Sequence, residues 1–266
     1  MKPPTTFRFE VASSGVATLT LDRPDSLNSL TFDVYREVRD TMLALEGEAA
    51  VKVVVVTGAG KGFCSGGNVH EIIGALVKMD GPSLLAFTRL TGATILAMRQ
   101  LRKPIIAAVN GTAVGAGAVI ALAADVRIAS AAARFGFLFP RVGLSGADMG
   151  AAWLLPRVVG LGRASELLLT GDIIDADTAL RIGLVNRVVA PERLLDEAHA
   201  FAERLATGPG FAHAMTKEML NREADMALDT AIEAEAQAQQ ICMQSRDFRE
   251  AYDAFVAKRE PRFEGR

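Results

Sequence analysis

The chain is short of the residues that metal and disulfide frameworks need. Its 266 residues include two cysteines and three histidines. Cys64 and Cys242 share no zinc-ligand spacing and form no disulfide pattern, a usage that fits a reducing compartment. An excess of one charge is missing too. Lys and Arg total 29 against 31 Asp and Glu, for a net charge of −2. No basic stripe is evident, which argues against a nucleic-acid partner. The longest apolar stretches are broken by glycines and charges and fall short of the roughly 20 residues that span a bilayer. The opening "MKPPTTFRFE" has no apolar signal-peptide core. A soluble, cytoplasmic protein with no membrane segment and no metal site is expected. Aromatic residues make up only 6%.

Apolar residues are plentiful, at half the chain, enough for a sizeable core. The length suits one large domain, or one with a smaller helical appendage. Abundant alanine points to closely packed helices. "FRFEVASSGVATLTLD" alternates apolar and polar residues about Ser14–Gly15 and predicts a hairpin. Val34, Val38, Met42 and Leu45 have helical spacing, with Thr31 as the N-cap. "VKVVVVTG" and "PIIAAVNG" are continuous apolar runs of the kind buried on both faces of a sheet. A helix runs from Pro82 to before Pro104, "GAGAVIALAAD" predicts a small-residue helix, and "VRIAS" a strand. "FGFLFPRVGL" reads as extended with a bend at Pro140. From Met149 onward the pattern is helical, apart from a short strand in "GLVNRVV". The alternation predicts an α/β fold of repeated ββα units over residues 1–195, followed by a helical region over 196–266. The last helix is amphipathic, with Phe248, Tyr252 and Phe255 on one side. It is expected to dock on the main body or on a neighbouring subunit.

Two glycine-rich loops follow buried strands. "VVVVTGAGKGFCSGGNVHE" has the outline of a phosphate loop but not its fixed positions. Gly60–Lys61 is followed by Gly62 where a hydroxyl is needed, and Val55 stands where the first glycine belongs. A dinucleotide fingerprint fails at Phe63 in this loop and at Ile120 in "VGAGAVI". What the loops share is a strand, glycines and then a helix start, and a helix start presents unpaired N–H groups. Two such starts facing one point would make a two-donor oxyanion hole. Loops after adjacent parallel strands share one edge of a sheet.

"GKGFCSGGNVHE" and "KPIIAAVNGTAVGAGAVIALAADVRIAS" resemble two signature segments of the enoyl-CoA hydratase/isomerase superfamily, the crotonases. The resemblance extends through "RPDSLNSL", "FGFLFPRVGL" and "GLGRASELLLTGDIIDADTALRIGLVNRVV" to "AFVAKREPRF", so it covers the chain in order. It implies a crotonase-like ββα spiral core with a helical trimerisation region, assembling as homotrimers or hexamers. It also implies an acyl-CoA thioester substrate, with coenzyme A entering as part of the substrate and no separate cofactor. By motif position, the backbone N–H groups of Gly67 and Ala116 polarise the thioester carbonyl. The same resemblance assigns coenzyme A contacts to Ser26, Leu27, Asn28, Ser65 and Gly67, and to Phe255 and Lys258 across a subunit boundary. Asp25 and Ser26 stand where many relatives carry a basic residue.

The chain departs from the hydratases of that family at two positions. Where they carry glutamates it has Val119 and Phe139, and neither side chain can move a proton. Asp148 is the acid left in the neighbourhood. It reads either as an N-cap for a helix from Met149 or as a catalytic carboxylate, which similar isomerases and dehalogenases place in this loop. Burial among Phe137, Phe139, Leu144 and Trp153 would raise its pKa and suit it to shuttling a proton. Double-bond isomerisation is therefore the expected reaction. A hydratase with rearranged groups, a hydrolase, dehalogenase or decarboxylase, and a non-catalytic acyl-CoA-binding protein are the alternatives. His70 and Glu71 either reach the pocket or face solvent. Cys64 reads as a small buried side chain, Trp153 as core, and His199 and His213 as surface or packing residues.

Overall fold

The computed structural model describes residues 3–265. Strands β1 (Phe7–Val11) and β2 (Val16–Leu21) pair antiparallel, Phe7 opposite Leu21, about the turn at Gly15. Helix α1 (Phe32–Leu45) starts at Thr31, whose hydroxyl accepts the Val34 N–H, and it buries Val34, Val38, Met42 and Leu45 as their spacing predicts.

The chain then winds as a spiral. Strands β3 (Val53–Gly58) and β4 (Gly62–Cys64) lead through a π-helical turn at Val69–Ile73 and α2 (Gly74–Leu76) into α3 (Gly81–Gln100). Strands β5 (Ile105–Val109) and β6 (Thr112–Val114) lead into α4 (Ala116–Ala123). Strands β7 (Val126–Ser130) and β8 (Arg134–Gly136) lead into α5 (Ala151–Val159) and α6 (Leu161–Thr170). The first strand of each unit joins a six-stranded sheet, and the second joins a four-stranded one. With β9 (Ile173–Asp175), α7 (Ala176–Arg181) and β10 (Arg187–Val189) added, the sheet orders are β1-β2-β3-β5-β7-β10 and β4-β6-β8-β9. The repeated ββα reading holds, and the links from β2 to β10 are all parallel.

The valine run in β3 shows why these segments are strands. Successive side chains point to opposite faces. Val54 and Val56 enter the main core with α1 and α3, while Val53 and Val55 pack under α8 (Leu194–Ala206) through Leu194, Ala198, Ala202 and Ala206. Every residue of α4 is buried, and its small side chains let it lie against β4, β6, α3 and α5. Helices α9 (Gly210–Arg222), α10 (Leu228–Met243) and α11 (Arg246–Val256) complete the chain. On α11, Phe248, Tyr252 and Phe255 stand 54%, 64% and 83% exposed, so their apolar side is not covered by the main body. No helix of the described residues is long and apolar enough to cross a membrane.

Three local expectations need correction. Phe139–Val142 is a 3-10 turn, not an extended segment, because the fixed φ of Pro140 suits a first helical turn. Helix α5 begins at Ala151, not Met149, which has φ 51° and precedes Gly150 at φ 82°. Trp153 is 40% exposed and lies under the Arg157 guanidinium, 3.7 Å from its carbon to the ring centre, so it is not core.

Candidate active site

The two glycine loops lie side by side because the strands before them do. Strands β4 and β6 pair parallel, with Gly62 opposite Thr112 and Cys64 opposite Ala113. The loops touch: a Cβ on Gly66 would lie 3.0 Å from the Val114 carbonyl oxygen and 3.4 Å from the Ala116 nitrogen. Gly66 (φ 86°) and Gly115 (φ 54°) both have the positive φ that glycine tolerates. Neighbouring amides are used, Asn68 N–H by the Leu30 carbonyl (2.9 Å) and Gly115 N–H by the Gly136 carbonyl (2.8 Å). The N–H groups of Gly67 and Ala116 donate to no acceptor among the described residues. Two free donors therefore sit on touching loops, with Ala116 opening α4.

Cys64, at the end of β4, is fully buried, and burial pushes its thiol up to about 12, so it is no nucleophile at neutral pH. Tyr35, on α1, is buried as well. Burial first, and then the charges of Cys64 and Asp148, raise its phenol far above the usual range. Tyr35 thus feels both the start of the first loop and Asp148, two groups far apart in sequence. No sequence pattern marked it, since a tyrosine at an apolar helix position reads as core.

Asp148 does not cap α5. Gly150 occupies the cap position with no side-chain cap bond, while the Asp148 backbone carbonyl accepts the Ala151 N–H at 2.8 Å. Its carboxyl is half-buried, and burial raises its pKa, partly opposed by the Met149 N–H. Leu144 and Trp153, expected to bury it, are themselves 50% and 40% exposed. Val119 and Phe139, at the positions where the resemblance expects glutamates, are apolar and buried, Val119 in α4 and Phe139 in the 3-10 turn.

The turn after β2 gathers the other expected residues. Leu27 and Asn28 both have positive φ. Asn28 is buried, and its amide is spent on the backbone, accepting from Arg23 N–H and donating to the Ala59 and Gly62 carbonyls. Ser65 donates its hydroxyl to the Ser26 carbonyl (3.0 Å) and its N–H to that of Leu27 (2.9 Å), so the turn and the first loop are one unit. His70 is exposed, and Glu71 pairs with Arg23 at 2.6 Å. Phe255 and Lys258, at the end of α11, make no hydrogen bond or ion pair with this cluster. His199 packs, its Nε2 lying 3.1 Å from the Thr18 hydroxyl. Among the described residues no group of His, Cys, Asp and Glu has a metal-binding arrangement.

The enoyl-CoA hydratase/isomerase family model matches residues 11–266. The chain belongs to the enoyl-CoA hydratase/isomerase family. It is 37% identical to the 1,2-epoxyphenylacetyl-CoA isomerase of Escherichia coli (strain K12), over 95% of this chain and 96% of that protein. It is 38% identical to the short-chain-enoyl-CoA hydratase of Clostridium acetobutylicum, with 92% of each chain covered. A solved structure from Streptomyces coelicolor A3(2) superposes with a TM-score of 0.97 at 50% identity, covering 100% of this chain and 96% of that one. This is the crotonase fold, with its signature loops placed together as the family's motifs imply.

Proposed function

We propose that the protein isomerises an unsaturated acyl-CoA thioester, moving a double bond from the 3,4 to the 2,3 position. The observation that carries this reading is the distribution of carboxyl groups. Val119 and Phe139 are buried and apolar, whereas Asp148 is free of capping duty and has a raised pKa. Its ionised carboxylate takes the proton from C2, and the C–H electron pair flows into the thioester carbonyl to form a dienolate. The Gly67 and Ala116 N–H groups hold the oxygen as charge develops. The acid formed on Asp148 delivers the same proton to C4, and the double bond closes between C2 and C3. No water is consumed, so one acid–base group suffices.

The name of the Escherichia coli relative, an isomerase of an epoxide-bearing acyl-CoA, supports isomerisation as the reaction type; that of the Clostridium relative keeps hydration as the second one. In this reading Ser26, Leu27, Ser65 and Gly67 receive the coenzyme A portion, and the buried Asn28 amide holds the turn that presents them. Phe255 and Lys258 reach it from a neighbouring copy in a homotrimer or hexamer, which the uncovered apolar side of α11 supports. The test is turnover of 3-enoyl-CoA, followed by growth of the conjugated thioester absorbance, against loss of that absorbance with crotonyl-CoA. Isomerisation that falls by about 100-fold or more in Asp148→Asn supports the role; unchanged turnover rejects it.

A further inference from the structure

Gly66 and Gly67 are consecutive glycines, so local sterics cannot aim the peptide between them. That peptide carries the Gly67 N–H. Its carbonyl, on Gly66, accepts the Leu30 N–H at 2.8 Å. In a trans peptide the N–H points opposite to the C=O, so this bond turns the Gly67 N–H away from Leu30. The next peptide is fixed by the same residue, because Asn68 N–H donates to the Leu30 carbonyl at 2.9 Å. The aim of the donor therefore depends on how firmly the Leu30 segment and the loop hold their register.

A closed circuit of side-chain contacts sets that register. Asn68 Nδ2 donates to Ser29 Oγ at 3.0 Å. Ser29 Oγ donates to Ser26 Oγ at 2.9 Å, and Ser26 Oγ to the Arg23 carbonyl at 3.2 Å. Arg23 pairs with Glu71 at 2.6 Å, and the Glu71 N–H returns to Asn68 Oδ1 at 2.9 Å. The same Oδ1 accepts the His70 N–H at 3.0 Å. Asn68 belongs both to this circuit and to the Leu30 bridge. Its amide accepts two N–H groups on one side and donates on the other.

We propose that Asn68 is the positioning residue for the Gly67 oxyanion donor, and that through Ser29 and Ser26 it ties the donor's aim to the turn where coenzyme A binds. This rests on the reading of Gly67 as a donor to a thioester carbonyl. The probe is trans-cinnamoyl-CoA, whose near-ultraviolet band moves to the red when its carbonyl is polarised. Wild type shifts the band on binding. Asn68→Ala and Ser29→Ala are expected to bind the probe within about twofold of wild type but to lose more than half of the shift. Their kcat on 3-enoyl-CoA is expected to fall roughly 10- to 100-fold with KM little changed, as for a misplaced reacting group. A residue that only supports the fold would lower thermal stability and leave the shift of the folded fraction intact. Should Asn68→Ala not fold, Ser29→Ala, which removes one link, decides. A full shift and wild-type kcat in the folded variants overturn the proposal. No shift in wild type overturns the donor reading beneath it.

Discussion

The position that a Cβ on Gly117 would occupy lies 2.1 Å from the carbonyl oxygen of Cys64. The first turn of α4 therefore rests directly on the last residue of β4. This contact brings Ala116 against the Gly66–Gly67 loop, so free N–H groups from separate repeats lie on touching loops. Backbone sits on both sides of the contact, and neither can move aside as a flexible side chain would. Gly117→Ala is expected to destabilise the fold by about 3 kcal/mol, the upper end for overpacking. Urea unfolding would read this as a lower midpoint with an unchanged slope. The folded fraction is also expected to lose carbonyl polarisation, because the loops are forced apart. A variant as stable and active as wild type would show that the contact is not tight.

In the proposed isomerisation, Asp148 links activity to stability with opposite signs. Burial raises its folded-state pKa above the value it has in the unfolded chain. The folded state thus binds its proton more tightly, and the group's contribution is most favourable at acid pH. That contribution is lost as pH rises through the folded-state pKa, when a half-buried carboxylate must ionise. Asp148→Asn removes this penalty. It is expected to raise the melting temperature at pH 7 relative to wild type while abolishing isomerisation, and the difference is expected to shrink below pH 4. Melting curves across pH 3–8 would check it. A variant less stable than wild type at pH 7 would contradict the burial argument.

The long elements were legible because their patterns are strong. Four consecutive valines in β3, and the Val34–Val38–Met42–Leu45 stripe under the Thr31 cap, each point to one structure. The pairing of the two glycine loops was legible because each follows a strand and opens a helical turn. The second sheet was not. Its strands β4, β6, β8 and β9 are three residues each, too short for alternation to register. Asp148 was ambiguous for a related reason. A cap and a catalytic acid look alike until backbone geometry is known, and here Met149 and Gly150 delay the helix by two residues. Tyr35 and Ser29 were missed because their relevance comes from partners brought together by the spiral.

The N-terminal segment offers a separate pH test. Glu37, on α1, is a half-buried carboxylate; desolvation would raise its pKa, yet hydrogen bonds from Thr5 and Thr6 lower it to about 2. Both N–H groups donate to Oε2 at 2.9 Å, the Thr6 hydroxyl donates to Oε2 at 2.8 Å, and the Thr5 hydroxyl donates to Oε1 at 2.7 Å. A depressed folded-state pKa stabilises above the unfolded value of 4.5, and this is lost as pH falls towards 2. Glu37→Gln is expected to flatten the acid side of the stability profile between those limits and to leave catalysis at neutral pH unchanged. Urea midpoints measured from pH 2 to 6 would show it. An acid limb as steep as that of wild type would mean that these bonds add nothing.

Helix α9 meets the core through an asymmetric pair, a buried Lys217 and a half-buried Asp125. Lys217, 6% exposed, places Nζ 2.8 Å from Asp125 Oδ2, with the Lys103 carbonyl at 3.0 Å. Asp125 has further support: Arg99 at 3.1 Å on its other oxygen, and the Ile105 N–H at 2.8 Å. Removing either member therefore should not cost the same. Asp125→Ala leaves a buried ammonium with carbonyls alone, and the expected loss is roughly 3–5 kcal/mol. Lys217→Met keeps the volume and leaves Asp125 its arginine, so the loss should be well below that. Adding Lys217→Met to Asp125→Ala should recover part of the stability, since it removes the stranded charge. Urea unfolding of the two single variants and the double variant measures all three terms. Equal losses in the single variants would show that Lys217 is no better supported by Asp125 than Asp125 is by Lys217.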